Sequence, residues 1–419
     1  IIKHSTKILS NGEIVDFTEE KKKEVLEKNN EFARSALRVL AYAYRTFDEV
    51  PSDTSSENIE NEMIFVGLTG MIDPARPEAK AAIKECKKAG IIPVMITGDY
   101  FETGLAIAKN LGIAEDESQA IVGAELNDKT PEEIRDIVKT KRVFTRVSPE
   151  NKVQIVTALK ENGHITAMTG DGVNDAPAIK RADIGIAMGI TGTDVAKNTA
   201  EVILTDDNFA TIVNAVEEGR VIYSNIKKFV SYLLSCNIGE VLVVLIAILM
   251  NLPVPLLPIQ LLWLNLVTDA FPALALGVEK GEENIMEEPP RDPGEPILDP
   301  EIKITVIVQS VAITIATLGA YLIGIKWHGQ EGIGLEYART MAFATLITSE
   351  LLRSYSARSI RYTLFHIGPF TNRKLVWATI FSFVLMIVVM YVPTIRELFQ
   401  LDSIGMNEWI VILVASVIH

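Results

Sequence analysis

The chain predicts two architectures joined in sequence, an α/β part built on a parallel sheet and an all-α bundle of transmembrane helices, and three observations carry this expectation. Up to about Arg220, charge, glycine and short apolar runs are mixed as in a water-exposed α/β fold. After Phe229 most of the chain is apolar stretches broken by charged loops, and several stretches approach the roughly 20 residues that cross a bilayer. Within the first part, apolar runs alternate with helix-period stretches, and strands separated by helices pair in parallel.

Thr18–Tyr44 reads as a charged helical region followed by the amphipathic stretch EFARSALRVLAYAYR, and a polar segment running to Glu62 marks a domain boundary. From Met63 the pattern is a strand (MIFVGLTGMI), a helix (PEAKAAIKECKKAG), a strand (IIPVMITGD) and a helix (TGLAIAKNLG). RVFTRV, HITAMTGD and IGIAM are further strands, alternating with helices such as PENKVQIVTALKENG. A parallel sheet receives its ligand at the carboxyl ends of its strands. Three of these ends are polar: Thr97–Asp99, the TRVSPENK run through Lys152, and Thr169–Asp175.

Five apolar segments follow, Phe229–Leu249, Leu256–Leu276, Ile304–Ile325, Tyr337–Leu352 and Leu375–Val392, with a partial sixth from Trp409 onward. Lys227 and Lys228 precede the first, and Arg353, Arg358, Arg361, Arg373 and Lys374 crowd the loop before the fifth. The positive-inside rule puts both places on the cytosolic side, together with the acidic loop GVEKGEENIMEEPPRDPGEP. Pro253, Pro255 and Pro258 bound a short outside loop; Pro272 follows Asp269 closely and weakens the helix ladder there, so that carbonyl oxygens can turn toward an ion or the helix can simply kink.

The formal net charge of -14 argues against a general nucleic-acid binder, which needs a concentrated basic surface. Cys86 and Cys236 lie in different halves with no metal-ligand spacing, so they are expected to be reduced and to form neither a disulfide framework nor a zinc site. His328, His366 and His419 receive no role. The chain opens at Ile1 without a signal-like start and stops at His419 inside an apolar run, so both ends are expected to be cut.

TGDGVNDAP is the strongest signal. Asp171 and Asp175 flank Gly and Asn in a tight turn directly after an apolar strand, which offers hard oxygen ligands to Mg²⁺ beside a phosphate; a plain surface turn is the bland alternative. The sequence here resembles the P-type ATPases, a branch of the haloacid-dehalogenase-like phosphotransferases, over nearly its whole length. The resemblance implies a Rossmann-like phosphorylation domain, with Asp171 as Mg²⁺ ligand and Asn174 and Asp175 holding the phosphate environment. It makes Thr97, Gly98 and Asp99 the family's TGD, whose threonine donates to the phosphoryl group, and Lys152 the lysine that neutralises charge developing there. Arg38 and Arg146 match positions that contact the phosphates of ATP, and Asp73–Glu78 (DPARPE) resembles the hinge between nucleotide and phosphorylation domains. The implied domains are 1–62, a remnant of the nucleotide-binding domain; 63–220, the phosphorylation domain; and 221–419, the stalk from Tyr223 and about six C-terminal helices, the last incomplete.

The family's phosphorylated aspartate lies in DKTGT, which this sequence does not contain. Asn127-Asp128-Lys129-Thr130 is a decoy: it follows TGD, lacks the next Gly-Thr, and leads into the helix start PEEIRDIV, so Asp128 reads as a turn or N-cap residue. The TGES dephosphorylation motif and the family's first four membrane helices are also expected to be missing, and the chain alone is not expected to turn over ATP.

A second constellation lies in the spans. Asn237 and Glu240 share a helix face, as do Asn265, Thr268 and Asp269, and Glu350 sits in the fourth segment. Ionisable groups at membrane depth are costly and so are functional candidates; polar glue between helices accounts for Asn265 or Thr268 singly but not for three carboxylates. All offer oxygen, which suits Ca²⁺ better than a soft metal. The resemblance sharpens to the sarco/endoplasmic-reticulum-like calcium pumps. It implies one Ca²⁺ site from Asn237, Glu240, Thr268, Asp269 and Glu350, and part of a second from Asn265 and Asp269, the rest belonging to a helix outside this chain. Implied with it are a multi-pass pump in lipid, monomeric, partnered by its own N-terminal part and exchanging protons for Ca²⁺; the net charge speaks against a nucleic-acid partner, and compact loops with no long regulatory tail point to a prokaryotic plasma membrane. A Na⁺ or other cation pump, and a non-catalytic membrane regulatory module, remain the alternatives.

Overall fold

The computed structural model describes residues 1–35, 37–71, 75–359 and 361–417. Asp73 and Pro74 of the expected hinge, and His419, lie outside the described residues. The chain divides into two compact units, Ile1–Ala215 with Met286–Pro290, and Val216–Ile285 with Arg291–His419.

The first unit contains the strands β1 (Ser5–Ser10), β2 (Glu13–Asp16), β3 (Arg38–Tyr44), β4 (Met63–Met71), β5 (Met95–Ile96), β6 (Ala120–Val122), β7 (Val143–Thr145), β8 (Ala167–Gly170), β9 (Ile184–Met188) and β10 (Val202–Leu204). The first four form a mixed sheet of order β2-β1-β4-β3. Asn11 and Gly12 both adopt positive φ, the requirement of a two-residue hairpin turn, and join β1 to β2.

Two expectations are corrected in this sheet. The stretch EFARSALRVLAYAYR does not continue as one amphipathic element: the helix ends at Arg34, and Arg38–Tyr44 is a strand whose side chains alternate between half-buried and exposed. Its aromatic and branched residues favour the pleat once a partner strand is present. Met63–Met71 does not open the parallel sheet but pairs antiparallel with β3 and parallel with β1, anchored by buried Phe65 stacked on Phe17 at 5.2 Å.

The remaining strands form two three-stranded sheets, β5-β7-β6 and β10-β9-β8, and every pair is parallel. Apolar faces of the intervening helices cover them, as Ile134, Val138 and Ile155 do beside Phe144. Ile96 on β5 packs against the clusters of both sheets. Helix starts follow capping chemistry. Thr130 Oγ1 accepts from the Glu133 N–H at 3.3 Å while Glu133 Oε2 accepts from the Thr130 N–H at 2.8 Å, so Thr130 is the N-cap and Asp128 lies in the turn before it.

The second unit is helical. Its first span belongs to the long helix Phe209–Leu249, and the second is Pro258–Leu276, with a π-helical turn at Leu264–Thr268. The third is Pro300–His328, the fourth Gly332–Ser356 and the fifth Arg373–Tyr391, followed by the short apolar helix Met406–Ser416. Four of these, all but the fourth and the short last one, are long and apolar enough to cross a membrane. The fourth has the length but not the apolarity. It packs against the third, the fifth and the last helix, and Met341–Leu351 are all buried, so protein rather than lipid surrounds its polar side chains. Met341, Phe343, Ile347, Met386 and Met390 form the centre of this core.

Candidate functional site

Two constellations emerge, one in each unit. In the first unit, Thr97 follows β5; its N–H donates to the Phe144 carbonyl at 2.9 Å and its Oγ1 to Asp99 Oδ2 at 2.9 Å. Arg146 follows β7 with φ of 50°, its N–H donating to the Asp99 carbonyl at 3.1 Å and its guanidinium lying over the Tyr100 ring at 4.5 Å. The ends of β5 and β7 are thereby tied together. Gly104 permits the close approach of the next helix, since a Cβ there would meet Thr145 and Thr97.

After β8 the chain turns on Asp175. Its Oδ1 accepts from Lys152 Nζ at 2.5 Å, and its Oδ2 accepts from the N–H groups of Gly172 at 3.0 Å and Asp171 at 3.3 Å. Burial would raise the Asp175 carboxyl, but Lys152 and these N–H donors outweigh it and hold it below the ordinary range. Gly170 is required here, because a Cβ would overlap the Asp175 side chain. Asp171 and Asn174 are exposed, and among the described residues the Asp171 carboxylate has no hydrogen-bond donor. Lys152 reaches this turn because Ser148 caps its helix, accepting from the Asn151 N–H at 3.2 Å. Lys152, Asp171 and Asp175 thus come together, as do Thr97, Asp99 and Arg146. Gly98 is exposed beside them, whereas Arg38 is an exposed residue of β3, opposite Met71 in the other sheet.

In the second unit, Asp269 and Glu350 are 0% exposed and Glu240 5% exposed. Tyr232 Oη donates to Asp269 Oδ1 at 3.1 Å, and Asn265 Nδ2 donates to Glu240 Oε2 at 2.8 Å. Asp269 Oδ2, Glu240 Oε1 and both oxygens of Glu350 are buried without a hydrogen-bond partner among the described residues, although unmet buried oxygens are costly. Unpaired buried oxygens of this kind can hold a cation, and among them those of Asp269 and Glu350 converge within 4.8 Å.

The π-helical turn places Asp269: its N–H donates to the Leu264 carbonyl at 3.1 Å, five residues back. Pro272 cannot donate to the Thr268 carbonyl, and Ser382 Oγ of the fifth span does so at 3.2 Å. Asn237 and Thr268 are turned onto their own helices, donating to the carbonyls of Leu233 and Leu264 at 2.8 Å each. Asn265 is an exposed residue, yet its side chain reaches Glu240.

Sequence reasoning missed Tyr232 and Cys236. Both cysteines are free and buried, and Cys236 Sγ lies within 4.8 Å of carboxylate oxygens of Asp269 and Glu350, which linear spacing does not reveal. The signal was present in part: Tyr232, Cys236 and Glu240 recur every four residues on one helix face.

Known proteins resemble this chain at both ends and along its length. Residues 1–78 match the family model described as P-type ATPase, cytoplasmic domain N, and residues 253–419 match that of the cation transporting ATPase C-terminus. "Calcium-transporting ATPase 1" of Bacillus cereus is 44% identical over 430 residues, which cover 100% of this chain and 48% of the relative. "Calcium-transporting ATPase" of Bacillus subtilis is 45% identical over 418 residues, 100% of this chain and 46% of the relative. "Probable calcium-transporting ATPase" of Trypanosoma brucei brucei is 39% identical over 443 residues, 98% and 44% respectively. The chain spans about half the length of these curated relatives.

Proposed function

Because this chain belongs to the P-type ATPases, as the C-terminal part of a cation-transporting member, we propose that the whole protein exports Ca²⁺ across a membrane, driven by ATP through an aspartyl-phosphate intermediate. The observation that carries the reading is the set of buried, unpartnered carboxylate oxygens on Asp269, Glu350 and Glu240, contributed by three membrane helices. Hard oxygen donors in flexible side chains suit Ca²⁺, and three relatives are named for its transport.

At the strand ends, Thr97 offers a hydroxyl to a phosphoryl group and Lys152 a positive charge, while Asp175 holds Lys152 and the backbone of the turn in place. The exposed carboxylate of Asp171 fits a Mg²⁺ ligand. Bound there, Mg²⁺ would neutralise charge on the transferred phosphoryl group. Arg146 and Arg38 are read as contacts to ATP. Asn265 and Asp269 are read as part of a second cation site, completed by the upstream part of the protein. β5 and β8 each pair on one side only among the described residues, and Ile96 packs toward both sheets. We read these edges as the place where a strand of the upstream part, carrying the phosphorylated aspartate, pairs. The protein is read as a monomeric pump of a bacterial plasma membrane, exchanging protons for Ca²⁺; its bacterial relatives and compact loops support this.

The test is phosphoenzyme formation from radiolabelled ATP in membranes carrying the full-length protein, with Glu240→Gln and Asp269→Asn beside it. Label that requires Ca²⁺ and is lost in both variants is the expected result. Label indifferent to Ca²⁺ moves the reading to another cation, and no label at all to the regulatory module.

A further inference from the structure

Cys236, Asp269 and Glu350 come from the first, second and fourth helices of the second unit, and each is 0% exposed. Cys236 Sγ and one carboxylate oxygen from each acid lie within 4.8 Å of one another. Some point is therefore within about 2.8 Å of all three atoms, and a small contraction brings this to the ~2.3 Å of a zinc–sulfur bond and the ~2.0–2.2 Å of a zinc–oxygen bond.

A buried cysteine is ordinarily a small apolar filler, and Cys236 does touch such a cluster, with Ala273, Leu276 and Leu375. Packing alone does not explain why the thiol faces two carboxylates. An independent observation points to a ligand: Asp269 Oδ2 and both oxygens of Glu350, fully buried, meet no donor among the described residues and face each other's carboxyl. Tyr232 takes up only the other oxygen of Asp269. Sulfur adds little to a Ca²⁺ site, which selects hard oxygens, whereas one thiolate with two carboxylates is a donor set for a borderline or soft divalent ion.

We propose that this site admits thiophilic divalent cations, Zn²⁺ or Cd²⁺, on Cys236 Sγ, Asp269 and Glu350, and that these compete with Ca²⁺ for it. The inference rests on the reading of the carboxylate cluster as the cargo site. On binding, the sulfur–hydrogen bond breaks, a sulfur–metal bond forms, and the proton leaves to bulk water, so no redox partner is involved. A thiol in the cargo site makes heavy-metal discrimination depend on one side chain.

The experiment uses purified full-length protein without ATP. Cd²⁺ is titrated while the thiolate-to-cadmium charge-transfer absorption and the displacement of radiolabelled Ca²⁺ are followed, in the wild type, Cys236→Ser and the control Cys86→Ser. The expected result is a Ca²⁺-displaceable band in the wild type and in Cys86→Ser, with the ratio of Cd²⁺ to Ca²⁺ affinity falling at least tenfold in Cys236→Ser. An unchanged ratio, or a band that persists in Cys236→Ser, overturns the proposal. Radiolabelled Ca²⁺ that binds but is not displaced by Cd²⁺ also overturns it, and leaves the calcium reading standing. A Cd²⁺ band lost in Cys236→Ser, in a protein that binds no Ca²⁺, supports the thiol site while the calcium reading fails. Should Cys236→Ser not fold, the Ca²⁺-displaceable band of the wild type decides by its presence or absence.

Discussion

Arg358 is 1% exposed, and removing its guanidinium is expected to destabilise the helical unit strongly. Nε and Nη2 donate to the two oxygens of Glu279 at 2.7 and 3.1 Å, Nη1 to the carbonyls of Gly368 and Pro369 at 2.8 and 3.2 Å, and Nη2 also to Thr371 Oγ1 at 2.6 Å. Glu279 in turn accepts from Asn372 Nδ2 at 2.8 Å. The cluster joins the loop after the second span, which carries Asp269, to the segment that leads into the fifth. Arg358→Met leaves a buried carboxylate with only Asn372 Nδ2 and the Lys280 N–H, a loss of about 3–5 kcal/mol for breaking one side of a buried pair. At ~2–4 °C per kcal/mol for a domain of this size, the unfolding midpoint of the detergent-solubilised full-length protein falls by roughly 6 °C or more. Burial would raise the Glu279 carboxyl, but Arg358 and Asn372 outweigh it and hold it below its ordinary 4.5. A depressed carboxylate contributes stability that is complete above its unfolded value and is lost as pH falls through the folded one. The penalty of Arg358→Met is therefore largest near neutral pH and shrinks as pH falls, because the buried carboxyl left without its guanidinium takes up a proton more readily. The double variant Glu279→Leu with Arg358→Met costs less than the sum of the singles, by ~1.5 kcal/mol or more. Single losses under about 1 kcal/mol, or strict additivity, would refute the argument.

Three other outcomes are expected. Lys152→Met preserves the turn N–H bonds to Asp175 but lowers the phosphorylation rate by about 10²–10³, read as single-turnover label incorporation. Ser382→Ala leaves the Thr268 carbonyl without its donor and destabilises by about 1–3 kcal/mol; with Pro272→Ala, which supplies a backbone N–H, the same substitution costs measurably less in thermal unfolding. Asp207 accepts from the N–H groups of Ile190 and Thr191 at 3.0 and 2.8 Å, which lower its carboxyl to about 2, so it stabilises above its unfolded value near 3.8 and loses that contribution as pH falls toward 2. Asp207→Asn accordingly flattens the acid limb of the unfolding profile between pH 4 and 2, and an unchanged limb would show that these bonds do not survive in solution.

What the sequence determined by itself is chemistry written within one element or one turn. The strand-to-loop transitions at Thr97, Arg146 and Asp171 and the helix face shared by Asn237 and Glu240 depend on periodicities and neighbours a few residues apart. Helix length and apolarity were equally legible, because a bilayer tests each span separately. Tertiary structure alone decided the rest. β3 and β4 owe their sheet to pairing with each other and, through β4, with β1, not to their own pattern, since an apolar run does not name its partner. The fourth helix is polar for a span because other helices surround it. Asn237 and Thr268, promising by spacing, bond to their own backbones, while Cys236, dismissed by spacing, meets Asp269 and Glu350 across three helices. The π-helical turn that aims Asp269, and the pair Arg358 and Glu279, 79 residues apart, likewise arise from packing. Contacts of that separation are set by how apolar faces and buried charges are jointly satisfied, and no window of sequence contains both halves of such a condition.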